Sequence, residues 1–157
     1  MRGSRGFTLI ELVITVAIVG LLATAAMPLG ELTVKRGREQ ELRVALREIR
    51  TAIDAYKAAA DQGHIEQEAD ASGYPPALDV LVNGVEDASN PERKKIFFLR
   101  RLPRDPFYPD GSATAEETWG QRSYASAPDN PQAGDDVYDI HSLAAGRALD
   151  GTTYRDW

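Results

Sequence analysis

The sequence predicts an α+β fold in which one long N-terminal helix packs on a small C-terminal antiparallel sheet. Three observations predict it. An uncharged apolar run extends from Leu12 to Leu29. A one-sided apolar stripe follows the run, with spacings of four and three residues that are typical of an amphipathic helix. Beyond residue 74, prolines, glycines and short apolar stretches replace the helical pattern and indicate strands and turns. The stripe consists of Leu42, Leu46, Ile49, Ile53, Tyr56 and Ala60.

The composition excludes several classes of protein. A chain of 157 residues is long enough for one small domain and a targeting or anchoring segment. The net charge is −6, and no basic patch would attract a nucleic-acid backbone, so we expect no nucleic-acid partner. The chain has no cysteine, which excludes disulfide bonds and thiolate metal sites.

The N-terminal helix is expected to have two halves. Residues 7–29 are apolar and reach the roughly 20 residues needed to cross a bilayer core. Residues 30–61 are amphipathic, and Gly63 is a typical C-cap for their end. Glu39 and Arg43 stand four residues apart in the order that favours an ion pair on a helix surface.

The apolar run alone is open to three interpretations. It could be a secretory signal peptide, since basic residues precede it and small residues occur in its last third, at positions 23, 25 and 26. It could be a plain N-terminal anchor. It could also follow a short leader, residues 1–6, that a prepilin peptidase removes after Gly6. Glu11 near the start of the run argues against the signal peptide, because a lone charge in an apolar segment is costly.

The motif Gly6-Phe-Thr-Leu-Ile-Glu-Leu12 resembles the cleavage and methylation site of type IV pilins and type II secretion pseudopilins. The resemblance implies cleavage after Gly6 and N-methylation of Phe7. It implies that Pro28 locally melts the helix in assembled fibres. It also implies that Glu11 pairs with the N-terminal amine of a neighbouring subunit, where low dielectric strengthens the attraction. A carboxylate that reaches the lipid headgroups is the alternative for Glu11.

The C-terminal part extends the resemblance. Leu102-Pro-Arg-Asp-Pro-Phe107 resembles the Leu-Pro-x-Asp-Pro-Trp segment of G-type pseudopilins, and Trp119-Gly120 resembles the start of their Trp-Gly-x-x-Tyr pattern. Strands are predicted over residues 95–100, 119–126 and 137–142. The resemblance implies a pilin-like fold with a periplasmic domain over residues 30–157, made of the helix to residue 61 and a loop and sheet region over 62–157.

No catalytic site is predicted. Asp139, His141 and Ser142 include the residue types of a catalytic triad, but successive strand residues face opposite ways. His141 and Ser142 therefore cannot act as base and nucleophile, and we expect no enzymatic activity.

A calcium site is the remaining candidate for ligand chemistry. The resemblance implies one calcium ion in the loop after the last strand, at a Ser-Leu-Gly-Ala-Asp-Gly signature, whereas this chain has Gly146 in place of the carboxylate. Asp139, Asp150 and Asp156 are the carboxylates that could bind calcium instead. Alternatively these acids are solvated in a surface loop, and Tyr154 and Trp157 hold the loop by packing.

The resemblance implies a structural subunit of a type II secretion pseudopilus. The expected partners are other copies of the chain, minor pseudopilins, the inner-membrane secretion platform and a prepilin peptidase. We expect a single-pass inner-membrane protein with its C-terminal domain in the periplasm. The positive-inside rule points the other way, since Lys35, Arg36 and Arg38 follow the apolar run; we give the motif more weight. A type IV or competence pilin subunit and a non-polymerising, membrane-anchored periplasmic binding domain are the alternatives.

Overall fold

In the computed structural model, the backbone is described for residues 7–157, and the side chains for all of these except residues 25–29. The chain divides into two compact units, Met1–Gly37 and Arg38–Trp157. The predicted leader, residues 1–6, lies outside the described residues.

Helix α1 spans Leu9–Asp61, which agrees with the long helix predicted from the sequence. It ends where the backbone of Gly63 adopts a φ of 77°, a conformation that glycine tolerates better than other residues. The amide of Gly63 donates to the carbonyl of Ala60 at 3.0 Å, and the amide of His64 donates to that of Ala59 at 2.9 Å. These bonds satisfy carbonyls of the last turn, as expected of a glycine C-cap.

The apolar stripe of α1 forms one wall of the hydrophobic core. All six of its residues are buried, and Leu42 and Ile49 have no exposed surface. The opposite wall comes from side chains distributed over the rest of the second unit. The amphipathic pattern therefore predicted the core face of the helix correctly. The residues of the opposite wall include Leu78, Leu81, Leu99, Trp119, Val137, Ile140 and Tyr154.

Two small antiparallel sheets follow α1, which confirms the α+β class. After the short helix α2 (Asp79–Asn83), strand β1 (Val85–Glu86) pairs with β2 (Lys95–Ile96). Strand β3 (Trp119–Arg122) pairs with β4 (Asp139–Ser142). Single 3₁₀ turns occur at Glu116–Thr118 and Tyr154–Asp156.

The strand predicted over residues 95–100 is shorter in the structure and ends at Ile96. The amides of Phe98 and Leu99 donate to the carbonyl of Leu81, at 3.1 and 2.9 Å. The chain after Ile96 is therefore bonded to α2 and no longer to a neighbouring strand.

The strand predicted over residues 119–126 is confirmed only in its first half, because β3 spans Trp119–Arg122. The amide of Ser123 donates to the carbonyl of Gln132 at 2.9 Å, and the amide of Tyr124 donates to the side chain of Asp136 at 2.8 Å. After Arg122, hydrogen bonds to a neighbouring loop thus replace the hydrogen bonds between strands. The strand predicted over residues 137–142 is confirmed from Asp139 onward, with Ile140 and Ser142 on its buried face.

Candidate functional site

The N-terminus of α1 is organised by a reciprocal contact between Thr8 and Glu11. The amide of Glu11 lies 3.4 Å from the hydroxyl oxygen of Thr8, and the amide of Thr8 lies 3.4 Å from Oε2 of Glu11. This is the arrangement of a capping box, in which a threonine and a glutamate three residues later satisfy each other's amides. The sequence Thr8-Leu-Ile-Glu11 carries this signal, which adds a local role to the assembly role that the resemblance implies for Glu11.

The helix that follows exposes apolar side chains around its whole circumference. Phe7 is 78% exposed and Leu9 is 82% exposed. An apolar surface of this extent normally marks contact with a membrane or with other protein chains. Glu11 is the one acidic residue between residues 7 and 24, and its side chain is exposed. The other exposed apolar side chains of this segment are Ile10, Leu12, Val13, Ile14, Val16, Ile18, Val19, Leu21 and Leu22.

The structure describes only part of the other residues predicted for processing and assembly, Gly6 and Pro28. Gly6 lies outside the described residues. The backbone of Pro28 belongs to α1, and its side chain lies outside the described part. Over the residues that the structure describes, no helix combines the length and the apolar character needed to cross a membrane.

The three carboxylates considered for calcium have other partners. Asp139 accepts from Nε of Arg50 at 2.8 Å and lies 3.8 Å from Nη2 of Arg122. Asp156 accepts a hydrogen bond from the hydroxyl of Thr153. Within the described part of the chain, no three acidic or histidine side chains form a group that could hold a metal ion. The structure therefore does not bring these carboxylates together as a ligand set.

Asp150 pairs with a cation from α1. Its Oδ2 lies 3.1 Å from Nη2 of Arg43, and its Oδ1 accepts from the hydroxyl and the amide of Thr152, at 2.6 and 3.0 Å. The bonds from Thr152, followed by the charge of Arg43, hold the pKa of Asp150 below its ordinary value. The ion pair expected between Glu39 and Arg43 is replaced by the ion pair between Arg43 and Asp150.

Glu39 is a buried carboxylate, although its spacing from Arg43 predicts an ion pair on the helix surface. Its side chain is 8% exposed and accepts from the amide of Leu149 at 2.9 Å and from the hydroxyl of Tyr154 at 3.0 Å. Burial, followed by this bond to Glu39, raises the pKa of Tyr154 to about 12. A signal was present in the sequence, since Glu39 precedes Leu42 by three residues and so extends the apolar stripe.

Asp105 is a second buried carboxylate, and no sequence pattern predicts its burial. It is 3% exposed and accepts from the hydroxyl of Ser142 and from the amide of Phe107, the latter at 2.7 Å. Its own amide donates to the hydroxyl of Thr118 at 3.1 Å. These bonds fix the proline-rich segment 102–107 against β4, so Asp105 has a structural role.

The structure places His141 and Ser142 on opposite faces of β4, as the strand pattern predicted. Ser142 is buried and its hydroxyl donates to Asp105. The ring of His141 packs over Gly120 of the paired strand. Burial, followed by the charge of Arg155, lowers the pKa of His141. The two side chains cannot act together as base and nucleophile.

This chain is similar to one protein-family model and to several known proteins. The family model described as the prokaryotic N-terminal methylation motif matches residues 1–27. Type II secretion system core protein G of Klebsiella pneumoniae is 27% identical over 143 residues, which covers 87% of this chain and 94% of that protein. The Vibrio cholerae core protein G is 29% identical over 110 residues, or 68% of each chain.

A type IV major alpha-pilin of Moraxella bovis is 38% identical over 55 residues, which is 35% of each chain. No solved structure gives a significant match. These relatives are named as secretion-system and pilin proteins, not as enzymes. The methylation motif at the N-terminus and the similarity to core protein G over most of the chain together support its recognition as a major, G-type pseudopilin of the type IV pilin-like superfamily.

Proposed function

We propose that this chain is a structural subunit of a type II secretion pseudopilus, which polymerises through its N-terminal helix to drive proteins across the outer membrane. The observation that carries the proposal is the exposed apolar surface of residues 7–24, which contains a single carboxylate at its start. A surface of this kind is stable only when lipid or other helices cover it. The subunit performs no bond chemistry, and its function is assembly.

A prepilin peptidase cleaves the chain after Gly6, and Phe7 then carries the N-methylated amine. Residues 7–29 anchor the unassembled subunit in the inner membrane as a single pass, with residues 30–157 in the periplasm. The uncharged run from Leu12 to Leu29 supports this placement. In the fibre, Pro28 is where the helix melts locally.

Glu11 orients assembly by pairing with the N-terminal amine of a neighbouring copy. A carboxylate and an amine that leave water together offset part of each other's desolvation cost. In the isolated subunit the carboxylate instead contacts Thr8, at distances of 3.4 Å that are long for hydrogen bonds. The weak local contact leaves Glu11 available to a stronger partner. Minor pseudopilins and the inner-membrane secretion platform are the further partners.

A type IV or competence pilin subunit is the second candidate. The similarity to the Moraxella bovis alpha-pilin favours it, but that similarity covers 35% of the chain, compared with 87% for core protein G of Klebsiella pneumoniae. The resemblance of residues 102–107 to G-type pseudopilins also favours the secretion role.

The test is co-expression of the full chain with a prepilin peptidase and a secretion assembly platform. Mass spectrometry of the purified protein is expected to find an N-methylated Phe7 as the first residue. Electron microscopy is expected to find filaments. Another first residue, or an unprocessed monomer, would favour the anchored binding domain and contradict the proposal.

Two substitutions separate charge pairing from helix capping. Glu11→Gln keeps a side chain that suits a capping box but removes the charge, and we expect it to reduce filament yield at least about tenfold. Thr8→Val removes the hydroxyl of the capping box and keeps the charge, so filaments should persist. Glu41→Gln, at an exposed site further along α1, is the matched control. Normal filaments from Glu11→Gln would refute the charge-pairing role.

A further inference from the structure

The C-terminal loop, residues 146–157, is attached to α1 by two charged side chains one helical turn apart. Glu39 accepts from the amide of Leu149 and the hydroxyl of Tyr154, at 2.9 and 3.0 Å. Arg43 contacts the carboxylate of Asp150 at 3.1 Å. The attachment joins residues more than 100 positions apart in the sequence, as the separation of 110 between Glu39 and Leu149 shows.

Arg43 lies between an anion and an aromatic ring. Its guanidinium carbon lies 3.8 Å from the centroid of the Trp157 ring, a distance at which a cation is attracted by the face of the ring. The Trp157 ring in turn contacts the ring of Tyr154, with centroids 5.3 Å apart and planes at 86°. The nitrogen of the Trp157 ring donates to the hydroxyl of Thr152 at 2.7 Å. A positive charge from α1 is thus held beside Asp150 of the loop.

The residues of this loop do not fit a calcium ion, although the resemblance to G-type pseudopilins implies one. Calcium requires six to eight oxygen ligands, including carboxylates. Both oxygens of Asp150 already accept hydrogen bonds from Arg43 or Thr152. Asp139 lies next to Arg50 and Arg122, whose positive charges would repel a metal ion.

Gly146 occupies the position at which the resemblance implies a carboxylate ligand. A Cβ atom at residue 146 would lie 3.0 Å from Cε2 of the Tyr154 ring, which is tighter than nine in ten real contacts of this kind. A side chain at this position would therefore require the ring of Tyr154 to shift by a few tenths of an ångström. The carbonyl of Gly146 also accepts from the amide of Tyr154, at 3.3 Å.

We propose that the C-terminal loop of this chain is fixed without calcium, because the guanidinium of Arg43 supplies to Asp150 the positive charge that a metal ion would otherwise supply. The buried hydrogen bond from Tyr154 to Glu39 completes the attachment of the loop to α1. The inference does not depend on polymerisation, and it holds for the unassembled subunit.

The test uses the full chain in detergent micelles, with thermal unfolding and hydrogen–deuterium exchange of residues 146–157 measured by mass spectrometry. We expect the same melting temperature and the same exchange in EGTA and in millimolar calcium. Arg43→Gln is expected to increase exchange of the loop about threefold to tenfold, since it removes an ion pair and a cation–π contact. Arg47→Gln, on an exposed arginine one turn further along α1, is the control and should leave the loop unchanged.

A double-mutant comparison isolates the pair. Asp150→Asn should also increase exchange, and the double variant should be no worse than Arg43→Gln alone, because the ion pair is already lost in that variant. A rise in melting temperature with calcium, or saturable calcium binding by titration calorimetry, would overturn the proposal. So would equal exchange in Arg43→Gln and Arg47→Gln.

Discussion

Tyr154 is a residue whose ionisation should be visible in the stability of the whole domain. It is 2% exposed, and its hydroxyl donates to the buried carboxylate of Glu39. Its pKa is raised to about 12, above the ordinary value of 10.0. The unfolded chain therefore loses this proton at a lower pH than the folded chain. The contribution to stability is fully present below pH 10 and is lost as the pH rises towards about 12.

The measurement is the free energy of unfolding in urea, determined from pH 9 upward. Tyr154→Phe removes the ionisation, so its stability should fall less steeply than that of the wild type above pH 10. At neutral pH the variant should lose about 1–3 kcal/mol, because Glu39 loses a hydrogen-bond donor. Tyr124→Phe, at a side chain that is 62% exposed, is the control. Parallel slopes for wild type and Tyr154→Phe would contradict the assignment.

The residues around Tyr154 show what the sequence could and could not predict. The spacing of Leu42 to Ala60 predicted which side of α1 is buried, because helical periodicity is a local property. It gave no indication that Glu39 bonds to Leu149, since that contact depends on where a segment 110 residues away folds back. The packing of Tyr154 and Trp157 in the loop was predicted as the alternative to calcium, and their rings are in contact.

At the scale of elements, the sheet of β3 and β4 depends on a glycine. Gly120 faces His141 across the two strands, and a Cβ atom at residue 120 would overlap the imidazole ring. Gly120→Ala should therefore destabilise the domain by about 1–3 kcal/mol, the usual cost of overpacking. Gly111→Ala, where a Cβ atom would meet nothing within 4 Å, is the matched control.

Chemical denaturation of the full chain in detergent measures this effect. The double variant Gly120→Ala/His141→Ala should recover part of the loss, because removal of the ring makes room for the methyl group. A Gly120→Ala variant as stable as Gly111→Ala would show that the strands can move apart without cost.

The strand boundaries show why elements shorter than about five residues are difficult to predict. Residues 95–100 have the apolar composition of a strand, but the amides of Phe98 and Leu99 donate to Leu81. Strand β1 consists of two residues, Val85–Glu86, too few for any alternation to be recognised. The pairing partner determines where such strands end, and the partner is not encoded in the strand itself.

At the scale of the whole molecule, burial is distributed unevenly along the chain. The buried hydrophobic side chains among the described residues all lie between Leu42 and Tyr154. The exposed apolar side chains of residues 7–22 lie in the first unit, which ends at Gly37. The sequence predicted this contrast, because a helix that is apolar all round and one with a single apolar stripe have different patterns. The second unit therefore contains its own hydrophobic core.

A chain shortened to residues 38–157 should accordingly fold alone. We expect it to be monomeric without detergent and to unfold in one cooperative transition, within a few degrees of the transition of the full chain in micelles. Circular dichroism and calorimetry would measure both transitions. Ile49→Ala in the shortened chain is the control, because truncation of this fully buried side chain should cost about 2–5 kcal/mol if the transition reports the core. A shortened chain that unfolds gradually, or that is insensitive to Ile49→Ala, would mean that residues before Arg38 are needed for the core to form.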